Sequence, residues 1–142
     1  MDAHVLGADL IERRLLALVT SHRSGVPRDM DLIAADLLSR AADLCPVLTG
    51  DLIRSGRVAG NTTTAGSGSV VRRTVSFGTK YAVWIHEAHY NLGPVSRRKS
   101  GTEDGPVGRK FLERPFRKHA DRYKAFLARG VEQRNRAGTK GG

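Results

Sequence analysis

Leu6, Leu10, Ile11, Leu15, Leu18 and Val19 recur at steps of three and four residues, with Glu12, Arg13 and Arg14 on or near the other face. That is the period of a helix burying one face, so the chain is expected to open with helix. Gly25 and Pro27 interrupt the pattern. A second stripe, Ile33, Leu37, Ala41, Leu44 and Cys45, predicts a helix over about Pro27–Leu44. Pro27 or Arg28 suits its first turn, Asp29 and Asp31 suit the positive end of its dipole, and Pro46 stops it. The pattern does not separate two helices from one kinked helix.

Beyond Pro46 the period changes. Thr49-Gly50-Asp51 reads as a turn into a short element. Residues 57–60 read as a strand end and 61–69 as a flexible polar loop. Val71, Arg73, Val75 and Phe77 alternate with polar neighbours, a strand pattern. The two sides of the 61–69 loop then pair as an antiparallel hairpin. Tyr81, Trp84, Ile85 and Ala88 fit a helical face, whereas Tyr81, Val83 and Ile85 fit a strand face. Residues 91–108 hold four glycines and two prolines, which predicts a long loop. Residues 109–112 read as a short final strand. Phe116, Ala120, Tyr123, Phe126, Leu127 and Val131 predict a helix over 113–134, and residues 135–142 read as a disordered tail.

The order predicts one α+β domain over residues 1–133. N-terminal helices (4–45) and a long C-terminal helix (113–134) pack on a small antiparallel β-sheet (56–112) with loops at 61–69 and 91–108. A chain of 142 residues fits a single domain.

Charge changes the picture. Residues 97–142 carry 14 Lys/Arg against 5 Asp/Glu, a net of +9, while residues 1–96 carry 10 against 9. So lopsided a chain seeks an acidic partner, whether nucleic acid, anionic membrane or an acidic protein face. No apolar run is long enough to span a bilayer and no leader is evident, so a soluble protein in the cytoplasm is expected, with no membrane contact. The single cysteine, Cys45, lies in an apolar run and reads as a small buried hydrophobe.

Candidate chemistry centres on "YAVWIHEAHYNLG", residues 81–93. His86 and His89 stand three apart, one short of the His-Glu-x-x-His zinc spacing, and Glu87 points away from His86 on a helix. A surface histidine pair beside an aromatic cluster is the expectation. His119 is the one candidate for a third ligand. No nucleophile elbow and no phosphate-binding loop occurs, so neither catalysis nor a cofactor is expected.

Three spaced stretches carry a resemblance. "CPVLTGDLIRSG" holds Pro46, Thr49, Gly50, Leu52 and Ser55; "FGTKYAVWIHEA" holds Tyr81, Ala82 and Glu87; "GRKFLERPFRKHA" holds Phe111, Leu112 and Phe116. In this order they resemble the small neck, or minor capsid and tail-component, proteins of siphovirus-like tailed phages. The resemblance covers roughly residues 28–130. The family's glycine shortly after the glutamate is missing, since Ala88-His89 follow Glu87.

The resemblance implies a structural virion protein of the head–tail connector, built in the host cytoplasm and resident in the neck between head and tail. It implies a homo-oligomeric ring of sixfold or twelvefold symmetry between connector or stopper proteins and tail proteins. A tail terminator ring is the near alternative. Arg97, Arg98, Lys99, Arg109 and Lys110 are the candidate interface, facing the acidic stretch Asp29–Asp51 of a neighbour or making non-specific contact with packaged DNA. Tyr81, Trp84 and Ile85 are expected in the core. His86, Glu87 and His89 are expected where the chain leaves for its long loop. Rival readings are a basic nucleic-acid-binding module and a metalloenzyme on His86, Glu87 and His89.

Overall fold

In a computed structural model the chain is described over residues 3–6, 10–19, 25–47, 49–65 and 68–140. The fold is α+β. Its elements are β1 (Ala3–Leu6), β2 (Leu10–Val19), α1 (Gly25–Leu44), α2 (Asp51–Arg54), β3 (Arg57–Ala65), β4 (Gly68–Phe77), α3 (Ala82–Glu87), α4 (Pro94–Arg98) and α5 (Glu113–Lys140). The strands form one antiparallel sheet in the order β1-β2-β4-β3.

The first correction concerns the N-terminus. Residues 10–19 form strand, not helix, paired with β4 from Ile11↔Phe77 to Val19↔Ser69. The run Leu15–Val19 is apolar without a break, so its period fits either element. What decides is the free edge of β4, a long-range partner that periodicity does not encode.

The hairpin is present, but longer than expected. β3 runs to Ala65 and β4 resumes at Gly68, so most of the polar 61–69 stretch is strand. Its β-branched threonines Thr62 and Thr63 suit an exposed edge strand. On β4, Val71, Val75 and Phe77 are buried as the alternation predicts. Arg73, on the same face, ion-pairs with Asp31 and donates to the Pro27 carbonyl at 3.4 Å, tying the sheet to α1.

α1 buries Val26, Met30, Ile33, Ala34, Leu37, Ala41 and Leu44, the stripe its period demands. Cys45 is fully buried beside it, and burial pushes its thiol up to about 12, which removes it as a nucleophile. α5 is 28 residues long and continues past residue 134 into the stretch expected as tail. It buries His119 and Tyr123, while Phe126 stays 37% exposed and drops out of the predicted stripe. α1 and α5 pack together, and the Arg134–Asp29 ion pair (3.0 Å) joins them at one end.

The 91–108 stretch is not a bare loop. It contains α4 and a small Thr102↔Gly105 bridge, and it is bonded onto the end of α1. Ser96 Oγ accepts from the Val47 amide (2.8 Å) and donates to the Val47 carbonyl (3.0 Å). Lys99 Nζ donates to the carbonyls of Ala42 (2.6 Å) and Cys45 (2.7 Å), and the Gly108 amide donates to Leu44 (3.0 Å). The Leu44 and Cys45 carbonyls stand where a helix end leaves acceptors unsatisfied, while that of Ala42 also accepts from the Cys45 amide at 3.3 Å. Residues 109–112 are turn rather than strand. Lys110 there has φ 57°, outside any strand conformation, and Phe111 and Leu112 point into the core.

Candidate functional site

The three motif stretches, far apart in sequence, all contribute to one core. Pro46 and Leu52 are buried. Gly50 has φ 84°, a left-handed conformation that favours glycine, and precedes α2. Thr49 is exposed, and its Oγ1 accepts from the Asp51 amide at 3.4 Å. Ser55 Oγ donates to the Leu52 carbonyl (2.6 Å) and accepts from the Gly78 amide (3.2 Å), joining α2 to the end of β4. Pro46, Thr49, Gly50, Leu52, Tyr81 and Trp84 help line one groove of about 200 Å³. Ala82, Phe111 and Leu112 are fully buried in the same core, with Phe116 half-buried against it.

α3 corrects the expected histidine placement. Its buried residues are Ala82 and His86, and His86 is fully enclosed rather than at the surface. Its ring meets Phe111 edge-on at 5.1 Å, and Phe111 meets Phe77 edge-on at 5.2 Å. Nδ1 lies 2.7 Å from Glu87 Oε1, and the Glu113 amide at the start of α5 points at Nε2 from 3.4 Å. With Nδ1–H donating to Glu87, Nε2 is the acceptor. His86 therefore works as a buried joint between α3 and α5. Trp84, expected in the core, is 57% exposed and stacks on Tyr90 at 5.3 Å. The helical period puts Trp84 two residues from His86, on a different face of α3.

Glu87 ion-pairs with Lys110, and Lys110 also reaches Glu113 at 3.1 Å. Burial raises the Glu87 carboxyl, but hydrogen bonds from Lys110 and His86 outweigh it and hold the group below its ordinary range. Burial likewise opposes the charge on Lys110, and its two carboxylate partners more than restore it.

A second polar cluster lies beneath residues 102–105. His119 Nε2 is 2.5 Å from Asp104 Oδ1, both side chains being buried. Arg40 reaches Asp104 (3.2 Å), Glu103 (2.7 Å) and Asp36 (2.8 Å), and Tyr123 donates to Asp36 at 2.7 Å. Sequence reading missed this network. Only the Asp36/Arg40 spacing of four, one helical turn, signals any part of it.

Two groups of ligating atoms come together among the described residues, His86/Glu87/Glu113 and Glu103/Asp104/His119. His89 joins neither, and His119 belongs to the cluster that lacks His86. In the first, Lys110 bridges both carboxylates. In the second, Arg40 spans both, with Lys118 3.7 Å from Asp104. In each group a cation of the chain itself bridges the two carboxylates, and a metal ion would have to displace it. Neither reads as a metal centre.

The expected basic interface divides in two. Arg97 and Arg98 are exposed at the end of α4. Lys99, Arg109 and Lys110 are engaged within the chain. The acidic stretch is also largely committed: Asp29 to Arg134, Asp31 to Arg73, Asp36 to Arg40 and Asp51 to Arg54. Arg109 and Arg114 lie in an open cleft of about 770 Å³ with His89, Tyr90 and Lys110, which shares Tyr90, Asn91 and Leu92 with the smaller groove. Burial depresses the Arg114 pKa, Tyr90 opposes that, and the charge of Arg109 adds to it.

Set against protein-family models, curated proteins and solved structures, the chain matches none.

Proposed function

We propose that this chain is a non-catalytic structural subunit of a phage head–tail connector, working as a homo-oligomeric ring in the virion neck. One observation carries the reading. The three stretches that resemble neck proteins, separate in sequence, share one core: the first two line the 200 Å³ groove, and His86 of the second meets Phe111 of the third. Motifs that matter to one architecture should meet in space.

The chemistry of the frame is consistent with a scaffold. Its ionic clusters are filled by the chain's own side chains, and such closed networks fix shape rather than turn over substrate. Outward it offers Trp84 and Val95 as exposed apolar residues and Arg97 and Arg98 as exposed cations. Ring subunits use heterologous contacts, one face meeting a different face of the next copy. Because the stretch Asp29–Asp51 is mostly paired internally, charge matching between copies would rest on Arg97 and Arg98 rather than on Lys99.

The test is deletion of the gene in the phage that encodes it. Filled heads and finished tails that fail to join are the expected outcome. Joined infectious particles would overturn the proposal, and contracted or overgrown tails would move it to the terminator ring.

A further inference from the structure

The cleft holding Arg109 and Arg114 has an unbalanced charge. Of its three cations, Lys110 is matched by Glu87 and Glu113. The two guanidiniums donate to neutral carbonyls instead: Arg109 Nη2 to Glu87 O (3.0 Å), Arg114 Nε to Arg109 O (3.0 Å) and Arg114 Nη2 to Pro106 O (2.7 Å). No carboxylate ion-pairs with either among the described residues. A neutral acceptor fixes the direction of a guanidinium without cancelling its charge. Arg109 Nε is buried and lacks an acceptor among those residues. Gly105, at φ 119°, leaves the space Arg114 fills, since a Cβ there would stand 2.6 Å from Arg114 Nη1. The cleft thus keeps two forks of positive charge side by side and open to solvent.

The complement of two adjacent guanidiniums is an anion with several acceptor oxygens. Tyr90 lines both this cleft and the adjoining groove, and there its ring is stacked on the exposed ring of Trp84. Cations that hold phosphates next to aromatic rings that accept bases are the means by which single strands are bound without sequence readout. The net charge of +10 would steer any polyanion toward the chain.

We infer that the Arg109/Arg114 cleft binds the phosphodiester backbone of single-stranded nucleic acid, with the Tyr90–Trp84 pair as the stacking platform. This does not rest on the connector reading. It also narrows the nucleic-acid contact from the five candidates Arg97, Arg98, Lys99, Arg109 and Lys110 to the one cleft that holds Arg109 and Lys110.

Trp84 is the chain's single tryptophan, so its fluorescence reports directly. Titration of the full chain with oligothymidylate should quench it to saturation. The slope of log K against log salt should be about −1.4, or about −0.7 for each of two phosphates. Arg109→Gln with Arg114→Gln should weaken binding about tenfold or more. Those side chains also brace residues 106–110, so a second arm uses the exposed rim. His89→Glu with Asn91→Glu should weaken binding about fivefold through like-charge repulsion, with the melting temperature unchanged. Arg122→Gln with Arg129→Gln on α5 should leave affinity as it was. Unaltered binding by the rim variant, or its loss in the α5 variant, would overturn the site. Tighter binding of duplex would overturn the single-strand assignment. Equal competition by polyglutamate would overturn nucleic acid as the ligand in favour of an acidic protein.

Discussion

Lys99 places its ammonium 2.7 Å from the carbonyl oxygen of Cys45, just past the last turn of α1, and 2.6 Å from that of Ala42. A cation at the negative end of a helix is favourable, and here it also satisfies acceptors the helix leaves open. Burial lowers the Lys99 pKa, so the residue stands where desolvation opposes its charge and the carbonyls are its compensation. Lys99→Met, which keeps the apolar stem, should cost about 1.5–3 kcal/mol in chemical denaturation. Arg97→Ala and Arg98→Ala, at exposed neighbouring positions, should change stability by less than about 0.5 kcal/mol.

Acid should loosen the same region. Burial raises Asp104, but hydrogen bonds from His119 and Arg40 outweigh it, so its folded pKa lies below the ordinary carboxylate value. Asp36 and Glu87 are depressed in the same way. A depressed carboxyl contributes stability that is present above its unfolded value, about 4, and lost as pH falls through the folded one. Denaturation midpoints should therefore hold steady down to about pH 5 and fall below it. Asp104→Asn should be less stable at neutral pH by about 3 kcal/mol or more, because Arg40 and His119 lose a buried partner. Its acid limb should be flatter than that of the parent.

Gly130 sets a test of sign. In an open helix Gly→Ala stabilises by about 1 kcal/mol. Here a Cβ would lie 2.5 Å from Asp29 Oδ2 and 3.2 Å from Arg134 Nη1, inside the ion pair that joins α1 to α5. Gly130→Ala should be destabilising in the parent chain. In an Arg134→Ala background, where the carboxylate has room to swing away, it should turn neutral or stabilising. Thermal melts of the four proteins close the cycle.

Trp84 gives a spectroscopic test. At 57% exposure its emission should be red-shifted and accessible to iodide in the folded chain. A blue-shifted, unquenched signal would place it in the core and reject this orientation of α3. Trp84→Ala should cost about 1 kcal/mol or less, against about 3–5 for Phe77→Ala in the buried ring cluster.

Sequence reading placed some elements well and others wrongly, and the difference has a cause. α1 was legible because Ile33, Leu37, Ala41 and Leu44 repeat at helical spacing and all face the core. β4 was legible because Val71, Val75 and Phe77 alternate with polar residues. The strand at 10–19 was not, because five consecutive apolar residues fit both periods. Within the candidate site, Pro46, Gly50, Leu52, Ala82, Phe111 and Leu112 are named from a family resemblance, and folding puts Leu52, Ala82, Phe111 and Leu112 into one core. The roles of His86, Lys99 and Trp84 were misread, because each depends on which remote group lies opposite.

The sequence by itself determined where short-range patterns stand alone: the α+β class, two long helices, one hairpin and a basic C-terminal third. Only the tertiary structure decided how the charges are spent. Whether a cation is paired depends on carbonyls and carboxylates brought from up to about a hundred residues away, as Arg134 is to Asp29. Composition counts Lys99, Lys110, Arg109 and Arg114 alike. Folding commits the first to a helix end and the second to two carboxylates, and leaves two guanidiniums open in a cleft. Charge is a sequence property, but its cancellation is a matter of distance, and distance is fixed only when the chain closes on itself.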